Sequence, residues 1–172
     1  MFDVNSVPES PTDQVLDWLR TSPKTRVSSS REHAKGKFTE RQYECVSDGN
    51  PAIRFRVFVS WNTRYPRVSF SAGLQALLPK RSITLCRYNA GGHLHTNRIE
   101  KNCLRNVAHI HRATQRYMES GADAEGYAEE TDRYLDVETA LRCLVKDCNI
   151  RGILKDDPDG SVRSTPDLFD PS

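Results

Sequence analysis

Residues 53–60 read Ile53-Arg54-Phe55-Arg56-Val57-Phe58-Val59-Ser60, and the alternation in this stretch decides the fold class. Successive side chains of a strand point to opposite faces. Ile53, Phe55, Val57 and Val59 therefore line one face, and Arg54, Arg56, Phe58 and Ser60 the other, which is the pattern of a half-buried strand. Upstream, residues 38–46 alternate more loosely, with Tyr43 and Cys45 on one face. Between the two runs lies Asp48-Gly49-Asn50-Pro51, a strong turn signal, so they predict a hairpin. Downstream, residues 62–66 mark another turn. Val68, Phe70 and Ala72 begin a third strand that fades into residues 74–78, and Pro79-Lys80-Arg81 ends it. Ile83, Leu85 and Arg87 predict a fourth strand, and residues 107–112 a short fifth.

The flanks read as helical. Thr12 or Asp13 caps a short helix with Val15, Leu16 and Leu19 on one face, stopped by Pro23. Asp136 caps a second helix over residues 137–148, burying Ala140, Leu141, Leu144, Val145 and Cys148, with Asn149 as its stop. Residues 22–37 are rich in Ser, Lys and Arg without periodicity and read as a loop or linker. The expected class is α+β: an antiparallel sheet of about four to five strands, with a short N-terminal helix and a C-terminal helix packed on one face. The expected organisation is a polar N-terminal segment (1–37) carrying the short helix, one α+β domain (38–152), and a disordered acidic tail (153–172).

A chain of 172 residues fits one domain. No apolar run approaches the roughly 20 residues that a spanning helix needs. Residues 1–11 carry no basic segment before an apolar run, so no secretory signal is expected. These points predict a cytoplasmic protein away from membranes. The five cysteines are an odd number without a Cys-x-x-Cys pair, which predicts reduced thiols rather than a disulfide framework. The formal net charge of +2 hides an asymmetry: residues 1–118 hold 19 Lys/Arg against 9 Asp/Glu, and residues 119–172 hold 6 against 14. A basic body points to a polyanionic partner. It is equally what an acidic end folding back onto a basic face would give.

Four of the five histidines lie in two His-x-His motifs, His93/His95 and His109/His111. On a strand, each motif presents both imidazoles on one face. Three chemistries compete for them. In the leading one, the histidines act as general acid and base on a phosphodiester, with Tyr88 as a further catalytic candidate and no metal or cofactor. Arg87, Arg98, Arg105, Arg112 and Arg116 would then bind nucleic acid and stabilise developing charge. In the second, the histidines hold a metal. His93-Leu94-His95 followed by Glu100 resembles the first ligand motif of cupins. The glycine that follows the glutamate there is missing, and the expected strands are too few for a double-sheet barrel. In the third, the chain is a non-enzymatic protein-binding module and the histidines are structural or surface groups. The acids of Tyr127-Ala128-Glu129-Glu130 read as a solvated face, and His33 as exposed and inert.

Arg87-Tyr88-Asn89, a His-bearing loop, His109-Ile110-His111, Tyr117, Tyr127-Ala128-Glu129 and a closing helix ending Cys148-Asn149-Ile150 together resemble a family of small bacterial proteins of unassigned function, often linked to prophages or defence. More distantly, the Arg-Tyr-Asn and His-rich stretch resembles the TumE-type toxins of toxin–antitoxin pairs. The resemblance covers roughly residues 82–151. It implies a bacterial cytosolic protein acting on nucleic acid, RNA ahead of DNA, with a cognate antitoxin or other protein partner. It brings no catalytic residues to carry over.

Overall fold

The computed structural model describes residues 3–155. The alternating stretch forms β4 (Arg54–Asn62), deep inside a mixed sheet of nine strands. Its neighbours are β3 (Phe38–Ser47) and β5 (Phe70–Leu77), both antiparallel to it. Beyond β5 come β6 (Ser82–Asn89), β9 (His109–Arg112) and the edge strand β10 (Tyr127–Glu130). Beyond β3 lie β1 (Lys24–Arg26) and β11 (Ile150–Arg151), the latter parallel to β1, while β2 (Arg31–Lys35) also pairs with β3. A separate hairpin, β7 (Leu94–Asn97) and β8 (Asn102–Arg105), connects β6 to β9. The described residues also form three α-helices: α1 (Asp13–Thr21), α2 (Gln115–Glu119) and α3 (Val137–Asp147).

The α+β class holds, but the sheet is larger than the four to five strands expected, is mixed rather than purely antiparallel, and is accompanied by a third helix. The linker reading of residues 22–37 is corrected too, because that stretch supplies two strands and the sheet extends across the boundary expected at residue 37. Strand β2 is exposed along its whole length. It sits at the margin of the sheet, so it needs no apolar face and leaves no alternation to read. Strand β1 hides differently, since it buries Lys24 and Arg26. The Lys24 ammonium donates to the carbonyl oxygens of Arg20, Ser22 and Cys148 at 3.0, 2.6 and 3.2 Å, which satisfies a buried cation. Of the acidic tail expected over residues 153–172, residues 156–172 lie outside the described residues.

One face of the sheet holds the core. Phe55, Val57, Val59, Ala72, Leu74 and Ile110 pack there with Leu16 and Leu19 of α1 and Ala140, Leu141 and Leu144 of α3. Asp136 caps α3 through a full capping box with Thr139. Asp136→Ala is expected to lower stability by about 1 kcal/mol in a denaturation experiment. Asn149 takes a left-handed φ of 53°, which turns the chain from α3 into β11.

The other face is polar and open, and a bulge decides what it carries. Gln75 pairs with Thr84 and Leu74 with Cys86, so Leu85 is the extra residue in β6. The bulge shifts the parity of all that follows. Arg87 and Asn89 thereby face the open side beside His111 and His109, their register partners on β9. Tyr88 goes to the core, where its hydroxyl donates to Asp147 Oδ2 at 2.7 Å.

Candidate metal centre

His109 and His111 project from β9 onto the open face, separated by Ile110, which enters the core. The β7–β8 hairpin folds over this end of the sheet and brings His95 to them. The His95 ring lies 4.5 Å from that of His111 and stacks at 5.4 Å on that of His109, centroid to centroid, and the His109 and His111 rings are 4.9 Å apart. His93 precedes β7 and sets its ring edge-on against His109 at 4.9 Å. One ring nitrogen from each of His95, His109 and His111 lies within 4.8 Å of the other two. The two His-x-His motifs therefore converge, but the group that could share one ion takes one histidine from the first motif and both from the second.

The protonation pattern of the three rings follows from their hydrogen bonds. His109 Nδ1 lies 2.8 Å from the Val107 carbonyl oxygen, and His111 Nδ1 lies 2.9 Å from that of Glu125. A carbonyl only accepts, so both Nδ1 atoms carry the proton and both Nε2 atoms keep a lone pair. His95 is the mirror case. Its Nε2 lies 3.0 Å from Asn97 Oδ1. The Asn97 amide is oriented by Ala128 on β10, since Nδ2 donates to the Ala128 carbonyl and Oδ1 accepts from the Ala128 N–H, both at 2.8 Å. Oδ1 is thus an acceptor, His95 Nε2 is the donor, and His95 Nδ1 keeps the lone pair.

Burial disfavours the charged form of His93, His109 and His111. Loss of solvent is the first cause that lowers the His93, His109 and His111 proton affinities, and the Arg87 guanidinium adds to it in each. His111 is pushed down to about 3. Neutral imidazole is the ligand form. His109 Nε2 is buried without a hydrogen-bond partner among the described residues. His111 Nε2 has only the Asn89 amide nitrogen, at a long 3.3 Å. An orphaned buried acceptor costs about 1–3 kcal/mol unless something occupies it. Tetrahedral zinc, with bonds of about 2.0–2.1 Å, holds its nitrogens roughly 3.4 Å apart, so the three rings would close by roughly an ångström or more around it.

The remaining expected residues scatter. Tyr88 and Arg112 each sit next to a residue of the open face and so point to the opposite face; Tyr88 is in the core, and Arg112 faces the Asp147 side. Glu100 accepts from Arg116 and from the Tyr117 hydroxyl at the hairpin tip, outside the three-histidine group, so the cupin-like set of His93, His95 and Glu100 does not form. Arg116 is occupied by Glu100 and lies over the Tyr127 ring at 4.7 Å. Arg98 and Arg105 are exposed on the hairpin. Arg87 is the one arginine of the five set among the histidines. It lines three adjoining cavities of about 460, 260 and 540 Å³, the second shared with His93 and the third with His95 and His111. Asn89 and Asn97 join the site without belonging to either His-x-His motif. Asn97 had a signal, since His95 and Asn97 share a strand face by the same period of two.

No protein-family model, no curated protein and no solved structure matches this chain. No helix among the described residues is long and apolar enough to cross a membrane.

Proposed function

We propose that His95, His109 and His111 hold a divalent first-row metal ion, zinc being the simplest fit, and that the protein uses it to hydrolyse a phosphodiester of a nucleic acid. One observation carries this reading: each of the three imidazoles has one N–H tied to a carbonyl oxygen and keeps a lone pair on its other nitrogen, which for His111 meets only a long contact from the Asn89 amide at 3.3 Å. Metal-binding histidines are held this way, because the outer hydrogen bond fixes the tautomer and the ring orientation. Three protein ligands with a position left open are the pattern of a catalytic rather than a structural site. A metal there supplies Lewis acidity and an activated water. Arg87 stands beside the group to neutralise an oxyanion. The exposed arginines of the hairpin, Arg98 and Arg105, and the basic charge of residues 1–118 suit a polyanionic substrate.

A metal-free acid–base pair fits less well. His111 with a proton affinity pushed down to about 3 is a poor general acid near neutral pH. His93 is the most exposed of the four rings and is better suited to moving a proton beside the ion than to ligating it.

The test is metal analysis combined with a cleavage assay on labelled single-stranded RNA and DNA. The expected result is one ion per chain, with cleavage lost on chelation and restored by zinc. Cleavage that survives exhaustive chelation would return the chemistry to a metal-free histidine pair. A chain that takes up no zinc, cobalt or nickel in titration ends the metal assignment.

A further inference from the structure

We infer that the open sheet face beside the histidines is a subsite for one nucleotide unit, with Arg87 holding its phosphate and Phe58 stacking its base. The inference deepens the hydrolase reading and rests on it for the chemistry, but its binding surface is separate from the metal ligands.

The register lays the parts out in one row across the sheet. His111 on β9 pairs with Arg87 on β6, Arg87 with Gly73 on β5, Gly73 with Phe58 on β4, and Phe58 with Gln42 on β3. Arg87 is half-buried, and its Nε is buried with no partner among the described residues. An unmatched guanidinium, planar and always charged, is suited to a phosphate oxygen pair. Phe58 is the aromatic residue in a cavity otherwise lined by polar and charged side chains. Gly73 explains its pose, because a Cβ at residue 73 would lie 2.1 Å from Phe58 Cζ, so the ring lies over the glycine and leans toward Arg87. Strands are spaced about 4.8 Å apart and the Phe58 ring lies over the intervening one, so the ring stands about one strand spacing from the Arg87 strand, a gap that a sugar bridges between its phosphate and its base. The cavity over this row is about 460 Å³, of ligand-pocket size. An aromatic ring for the base and a cation for the backbone are the two elements by which proteins hold unpaired nucleotides.

Two carboxylates share the cavity without cancelling the row. Glu40 accepts the Gln42 amide at 2.6 Å and lies 3.6 Å from His33, and Glu125 lines the end toward the histidines. Lys35 and Arg56 line it as well, so cations outnumber acids.

The experiment is calorimetric titration of the 172-residue chain with 5′-AMP, adenosine and inorganic phosphate, each with and without zinc. Wild type is expected to bind 5′-AMP more tightly than either fragment. Arg87→Gln is expected to weaken 5′-AMP and phosphate by about tenfold or more while leaving adenosine unchanged. Phe58→Leu is expected to weaken 5′-AMP and adenosine about fivefold or more while leaving phosphate unchanged. Thermal unfolding of both variants checks that they fold, and Gly73→Ala, which displaces the ring without removing it, should reproduce the Phe58→Leu result. The subsite is overturned if 5′-AMP does not bind wild type, if phosphate alone binds as tightly, or if folded Arg87→Gln and Phe58→Leu both bind as wild type. Binding of 5′-AMP to a chain that takes no metal would keep the subsite and remove the metal reading. Metal uptake without 5′-AMP binding would do the reverse.

Discussion

His109→Phe is expected to abolish metal binding while leaving the metal-free protein as stable as wild type or more so. The side chain is fully buried, and its Nε2 has no partner among the described residues. Phenylalanine keeps a ring of similar size and removes that orphaned acceptor, which relieves a cost of about 1 kcal/mol or more. The Val107 carbonyl loses its donor but belongs to a half-buried residue that water reaches. Without its lone pair the site keeps two histidines of three. The expected affinity loss exceeds the 10- to 100-fold that follows removal of an outer partner, so it should be about 100-fold or more. Wild type should gain about 2.7 kcal/mol from zinc at 100 times its dissociation constant, a rise in Tm of roughly 5–10 °C, and the variant should gain none. Zinc titration with parallel melting curves decides the matter. A variant that keeps its zinc-dependent Tm rise removes His109 from the ligands. A metal-free variant that unfolds several kilocalories per mole more easily shows that His109 was part of the core packing instead.

The period-two argument predicts that His109 and His111 share a face, and they do. Which histidines can share an ion was not legible, because it depends on where β7 begins. His93 falls one residue before the strand, so parity does not govern it. The groups that fix two of the three tautomers are the main-chain carbonyls of Val107 and Glu125, and a main-chain carbonyl leaves no trace in residue identity. Tyr88 and Arg112 adjoin site residues in sequence, which alone suggests them for the site. On a strand, adjacency is the reason they lie on the far face.

The central strands were legible wherever one face is buried and the other wet, as in Phe55, Val57 and Val59 against Arg56, Phe58 and Ser60. The caps at Thr12 and Asp136 were legible because a short polar side chain ahead of an apolar stripe has few other uses. The margins of the sheet were not. Strands β2, β7 and β8 bury little, and β1 buries cations that only distant carbonyls make tolerable. The bulge at Leu85 lies inside an apolar run and is silent in the sequence. It nonetheless decides that Arg87, rather than Tyr88, looks at the histidines.

Asn97→Leu is expected to detach the histidine hairpin from the sheet. The edge strand β10 would present the N–H and C=O of Ala128 outward, where an unpaired strand edge is open to any chain. The Asn97 amide takes both at 2.8 Å, as the peptide group of a further strand would. Its Oδ1 also accepts from His95 Nε2, so one buried side chain closes the sheet edge and fixes a ligand tautomer. Leucine keeps the branched shape, although it is bulkier, and offers neither group. Two buried backbone groups left unsatisfied at about 1–3 kcal/mol each amount to roughly 4 kcal/mol, a factor of about 1000 in the equilibrium that docks the hairpin. Most of the core lies on the opposite face, so the expected outcome is local: the sheet remains folded while residues 94–105 open. Amide hydrogen exchange reads this directly, with Ala128 slow in wild type and fast in the variant, and β4 amides slow in both. Zinc affinity should fall 10- to 100-fold, because His95 loses both its place and its tautomer. Asn97→Asp is the companion variant. It keeps the acceptor for His95 Nε2 and for the Ala128 N–H but sets a carboxylate against the Ala128 carbonyl, so it should loosen the hairpin and hold zinc better than the leucine does. Slow Ala128 exchange in Asn97→Leu, with zinc affinity within about threefold of wild type, would show that the rings and the hairpin tip hold His95 without Asn97.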